Sequence, residues 1–243
     1  IIIYNELDRI DFDTFISWHE DQKLLKVFFD VDLQTKTYTR DIAYATMECC
    51  SYRYNPYDKA KFEVNAHNWI DMSDEDYGVS LLNDCKYGHS VDEDSMALTL
   101  IKGATYPDET ADMGRHYFSY SFMPHQGDWR SADVPGEGYR FNIPVVAVKG
   151  SGIAGSADAS FARTDKANVI IESVKKALHG EGTIIRFYEC YGMRTKVKLT
   201  LADAPKEACF TSLMEDDETG APFEGNSLTL EVKPYEIVTL RIK

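Results

Sequence analysis

The chain has 243 residues, 44% of them hydrophobic and 12% aromatic, enough for one large β domain or two smaller ones. Lys and Arg number 26 against 40 Asp and Glu, a net charge of −14, so the basic stripe that a nucleic acid requires is missing. No apolar run approaches membrane-spanning length, so neither nucleic acid nor membrane is an expected partner.

The first residues, "IIIYNELDRI", lack a Met and read as part of a strand, which suggests a piece of a longer polypeptide. "KLLKVFFDVDL" (23–33) puts Leu25, Val27, Phe29, Val31 and Leu33 on one face by strict alternation. "AKFEVNAHNW" (60–69) alternates Phe62, Val64 and Ala66 with Glu63, Asn65 and His67. "YGVSLL" and "MALTLIKG" are two more strands, and "HYFSYSFMPH" (116–125) places Phe118, Tyr120 and Phe122 on one side. "RFNIPVVAVKG" (140–150) reads as an apolar strand that Pro144 confines to an edge or a strand start.

A Gly/Ser/Ala stretch, "GSGIAGSADAS", follows. Beyond it "NVIIESVKKAL", "TIIRFYECYG", "TKVKLTL", "EACFTSLME", "NSLTLEVKP" and "EIVTLRIK" recur at about ten-residue spacing between turn residues, the pattern of a β-sandwich. The expectation is all-β: a large module over 1–155, a linker at 156–166 and a small C-terminal sandwich over 167–243.

Several chemistries can be weighed. Gly150, Gly152 and Gly155 spell Gly-x-Gly-x-x-Gly after a strand-like run, with Glu172 where a ribose-binding acid would fall. The segment between offers too little apolar surface for the helix that a dinucleotide fold needs, so it reads as linker. His19, His67, His89, His116, His125 and His179 form no helical ligand pair, and no metal site is expected. The five cysteines have no Cys-x-x-Cys spacing and read as reduced thiols of a cytoplasmic protein. Cys85 lacks an identifiable base and reads as a structural thiol. Among forty acids no catalytic pair can be chosen.

Two segments combine a strand end with several polar heads. In "LLNDCKYGH" (81–89), extended backbone would put Asn83, Cys85 and Tyr87 on one side and Asp84 and Lys86 on the other, where the acid and the amine could pair at a rim. "MPHQGDWR" (123–130) ends on His125, Asp128 and Trp129. An aromatic face beside planar polar groups suits a sugar; a charged turn, and a Trp capping the core, explain the same residues.

Taken together, "RIDFDTFISWHEDQKLLKVFFDVD", "YDKAKFEVNAHNWIDMSDEDYGVSLLNDCKYG", "PDETADMGRHYFSYSFMPHQGDW", "NVIIESVKKALHGEGTIIRFYECYG" and "VKPYEIVTLRIK" resemble the C-terminal β region of family 38 glycoside hydrolases, the α-mannosidases. "GVSLLNDCKYG" and "FMPHQGDW" are the most specific parts of the likeness. The chain departs from the family at Tyr57, where Trp is usual, and in "FFDVD".

The resemblance implies a large antiparallel β-sandwich of the galactose-mutarotase-like supersandwich type, followed by a small β-sandwich. It implies that zinc, the nucleophile and the general acid of a retaining hydrolysis belong to an absent N-terminal catalytic domain, so that no catalytic or metal-ligating residue is expected here. That domain and a mannose-containing oligosaccharide would be the partners. Asp84 and Lys86 would face the sugar pocket with Asn83 and Tyr87 in support; His125, Asp128 and Trp129 form a second, more structural candidate set. A free-standing carbohydrate-binding module and a structural module that holds a homo-oligomer together are the alternatives.

Overall fold

In the computed structural model, which describes residues 1–149 and 159–243, the chain divides into two units, Ile1–Pro144 and Val145–Lys243. The first contains β1 (Ile2–Ile3), β2 (Ile10–Trp18), β3 (Leu24–Asp30), β4 (Thr37–Ile42), β5 (Ala45–Cys50), the short helix α1 (Pro56–Ala60), β6 (Val64–Asn65), β7 (Trp69–Ser73), β8 (Tyr77–Asn83), β9 (Gly88–Asp92), β10 (Ser95–Lys102), β11 (Gly114–Gln126) and the helix α2 (Val134–Asn142). Two antiparallel sheets result, with orders β1-β2-β11-β8-β7-β4-β5 and β3-β10-β9-β6.

Alternation decides which side chains meet between those sheets. Ile70, Met72, Val79 and Leu81 from one sheet and Met96, Leu98 and Val91 from the other form a single buried cluster. Phe29 of β3 wedges across the gap, with ring centroids 5.9 Å from Phe12 and 4.8 Å from Phe122. The face predicted for 23–33 is therefore the inner one, and the alternate residues Leu24 and Phe28 are exposed.

The outer face of the larger sheet is partly covered by α2, which packs on β7 and β8. Contact is close at Gly138, where a Cβ would lie 3.0 Å from Cδ1 of Trp69. The helix starts after Asp133, has Pro near its first turn, Glu137 in that turn and Arg140 in the last, which suits the helix dipole. This corrects the strand expected over 140–150. Residues 134–142 are helical, and the apolar run beyond has no regular structure through 149, with Val145 and Val148 exposed. Pro144 lacks the N–H that a ladder or another helical turn would use. The strand expected over 60–69 also divides, into the end of α1, the two-residue β6 and the start of β7.

The second unit contains β12 (Ala162–Thr164), β13 (Val169–Lys176), β14 (Thr183–Glu189), β15 (Thr195–Leu201), β16 (Ala208–Thr211), β17 (Asp217–Gly220), β18 (Ser227–Val232) and β19 (Ile237–Ile242). They form sheets of order β12-β15-β18 and β13-β14-β19-β16-β17. Val197, Leu199, Leu228 and Val232 meet Ile185, Phe187 and Leu240 in one buried cluster. β12 lies within the span read as linker and pairs with β15. Gly150, Gly152 and Gly155 lie outside the described residues.

Candidate functional site

β8 stops at Asn83 for a local reason. Its side-chain oxygen accepts the N–H of Lys86 at 2.9 Å, and its amide nitrogen donates to the carbonyl of His67 at 2.8 Å. The Asn83 N–H donates to the carbonyl of Asn68 at 3.0 Å, and its carbonyl accepts from the Asn142 amide at 3.0 Å. Asn83 is buried. Both ends of its side chain are spent on backbone groups, so it holds the base of the loop, an Asx-type turn.

Because the chain turns there, the alternation expected for residues 83–87 does not hold, and Asp84 and Lys86 do not pair. The Asp84 carboxylate accepts the N–H of Ser119 at 2.8 Å. The Lys86 ammonium sits 4.5 Å from the ring centroid of Phe118, at the edge of the core. Cys85 is exposed between them; partial burial of the thiol and the adjacent Asp84 carboxylate push it up to about 11, which leaves it protonated at neutral pH. Tyr87 is 54% exposed, and its ring meets that of His67 edge-on at 5.9 Å.

His67 brings a group that the sequence did not single out. The carboxylate of Asp41 accepts both the N–H and the side-chain amide of Asn68, at 3.0 and 2.8 Å. Burial raises the pKa of that carboxyl despite these two donors. The loop thus carries Asp84, Lys86 and Tyr87 on a base fixed by Asn83; the Tyr87 ring joins it to His67, and Asp41 lies next to that, bonded to Asn68. Such a set can hydrogen-bond hydroxyl groups from several directions.

The second set lies elsewhere on the outer face. The His125 side chain is 6% exposed, and its Nε2 lies 2.7 Å from Oδ2 of the fully buried Asp71. Ser80 and Ser73 also donate to Asp71, at 2.6 and 2.7 Å. The His125 ring fills the space above Gly78, where a Cβ would come within 2.3 Å of Cε1. Trp129 is buried against Trp69, with centroids 5.3 Å apart. Asp128 caps the turn that runs on to Ser131: against the burial that would raise it, the Ser131 N–H and hydroxyl hold its carboxyl below the usual range. The side chains of His125 and Trp129 are therefore packed into the structure, whereas that of Asp128 is 44% exposed. Among the described residues no three His, Cys, Asp or Glu side chains are grouped so as to hold a metal ion.

Residues 1–110 match the glycosyl hydrolases family 38 C-terminal domain, and residues 168–240 match the family 38 C-terminal beta sandwich domain. The chain belongs to the C-terminal region of glycosyl hydrolase family 38. It is 34% identical over 250 aligned positions to alpha-mannosidase G of Dictyostelium discoideum, covering 99% of this chain and 23% of the relative. It is 35% identical to alpha-mannosidase 2C1 of Mus musculus, covering 95% of this chain and 23% of that protein. The chain thus spans under a quarter of the length of these relatives. An alpha-mannosidase structure from Enterococcus faecalis V583 superposes with a TM-score of 0.83 at 16% identity, over 99% of this chain and 28% of that one, and so shares the fold.

Proposed function

We propose that this chain is the non-catalytic C-terminal β portion of a zinc-dependent, retaining α-mannosidase that removes terminal α-linked mannose from oligosaccharides. In this reading it packs on an N-terminal catalytic domain that holds the zinc and the nucleophile. It lends the Asn83–Gly88 loop to the sugar pocket. The observation that carries the reading is the pair of family 38 matches at 1–110 and 168–240, with relatives named alpha-mannosidase along nearly the whole chain.

The loop's share of that function rests on its construction. Asn83 fixes the backbone, so Lys86 and Tyr87 are held in place at little further entropic cost when a sugar arrives. The Lys86 ammonium carries three donors and no acceptor, and a mannose hydroxyl can accept one of them. The five cysteines form no disulfide among the described residues, which fits a reducing compartment, and the reading includes a cytoplasmic location.

Incubating the purified chain with an aryl α-mannoside, with and without added zinc, tests this division of labour. No mannose release is expected in either case. Turnover by the chain alone would overturn the assignment of all chemistry to another domain.

A further inference from the structure

We propose that the outer strip of β2 and β11 is a binding platform for a neutral glycan chain; the proposal stands whether or not the Asn83–Gly88 loop serves a sugar pocket. Phe15 and Tyr117 sit directly opposite each other on the two strands. Their ring centroids are 4.8 Å apart and tilted by 33°, and the residues are 55% and 71% exposed. Two aromatic residues so exposed on a regular strand pair leave a large apolar surface in water.

What flanks the rings defines the ligand. Side chains two residues apart share a face. Toward the sheet centre the next pair is Asp13 and Ser119. Ser119 donates to one Asp13 carboxylate oxygen at 2.7 Å, and the other accepts no hydrogen bond among the described residues, so a ligand hydroxyl can use it. On the other side the next pair is Ser17 and Arg115, both exposed. The ladder between β11 and β8 ends at Tyr120; beyond it Asp84 still holds the backbone of Ser119, its N–H donating to the Ser119 carbonyl at 3.2 Å and its carboxylate accepting the Ser119 N–H at 2.8 Å, so the strip begins beside the Asn83–Gly88 loop.

The strip is therefore an apolar centre with an acceptor at one end and donors at the other. A pyranose matches it, with a C–H face for the rings and a rim of hydroxyls for Asp13, Ser17 and Arg115. A lipid or an apolar peptide would desolvate Asp13 and Arg115 without replacing their hydrogen bonds. A polyanion would face a chain of net charge −14.

The test is an NMR titration of the chain with linear α-mannotriose. Saturable shifts are expected at the Phe15 and Tyr117 rings and at Asp13. Phe15→Ala and Tyr117→Ala should each weaken binding by about tenfold with the melting temperature unchanged, and Tyr106→Ala, at another exposed ring, should have no effect on binding. The proposal is overturned if no saturable shift occurs at these residues, or if both ring variants bind as the parent chain does. It is equally overturned if the rings prove to mediate self-association, seen as a sedimentation shift that Tyr117→Ala abolishes while mannotriose does not bind.

Discussion

Asn83 and Lys86 are joined by a hydrogen bond from the Lys86 N–H to the Asn83 side-chain oxygen, 2.9 Å long, at the point where β8 ends. The bond turns a strand into a loop, and it places the ammonium over Phe118 rather than beside Asp84. Replacing Asn83 by Ala would leave the Lys86 amide and the His67 carbonyl without their partner in a partly buried place. A loss of about 2–3 kcal/mol in unfolding free energy is expected, measured by urea denaturation. Lys86→Ala, which removes one cation–ring contact, should cost under about 1 kcal/mol. Equal losses for the two variants would show that Asn83 does not anchor the loop.

Asp71 is a second anchor. It is fully buried and accepts hydrogen bonds from Ser73, Ser80 and His125. Asp71→Ala would strand all three donors beneath the outer face. The expected loss is about 3–5 kcal/mol, read as a lowered denaturation midpoint. A loss below 1 kcal/mol would mean that water replaces the carboxylate at no cost.

In the second unit, Glu189 plays the corresponding part. Its buried carboxylate accepts the N–H groups of Tyr191, Gly192, Met193 and Tyr235 and the Asn168 side-chain amide, at 2.8 to 3.1 Å. The carboxylate thereby fixes the turn between β14 and β15. Glu189→Ala should cost about 3 kcal/mol or more, with amide exchange accelerated at 191–193 ahead of the strands. Unchanged protection at those amides would contradict this role.

His89 sets a pH dependence. Burial pushes its imidazole down from 6.5 to about 4, so it is neutral in the folded chain at pH 7. As pH falls below 6.5 the unfolded chain takes up the proton, and the folded chain does so only near 4. Stability is therefore complete above 6.5 and is lost as pH falls from 6.5 toward 4, by about 3 kcal/mol in all. His89→Gln should flatten that slope, as followed by chemical denaturation at several pH values. A slope of the same size in the variant would assign it to other groups.

Much of the architecture is legible in the sequence because period-two alternation is local information. The inner faces of 23–33 and 116–125 and the strand at 195–201 follow from it directly. The helix at 134–142 is not, since Val134, Tyr139, Phe141, Ile143 and the valines beyond give an apolar run without a clear period, and Gly136 and Gly138 lower helix propensity. What makes that segment helical is tertiary: Gly138 lets it approach Trp69. The loop at 83–88 announces itself by its mixture of polar heads, but not its shape, because the Asn83 turn overrides the alternation of an extended chain. Asp41 reaches the same place from a strand more than forty residues earlier, and nothing near it in sequence marks it. The Asp71–Ser80–His125 cluster depends on strand register across β7, β8 and β11, which a single sequence does not print.

The most direct test of the loop's proposed role is the kcat/KM of the longer enzyme on a mannose oligosaccharide, compared between Lys86 and Lys86→Ala. The account predicts a fall of about 10- to 100-fold, the size of a lost charged hydrogen bond, while the melting temperature of this chain barely moves. An unchanged kcat/KM would contradict it and leave Asn83–Gly88 as a surface turn.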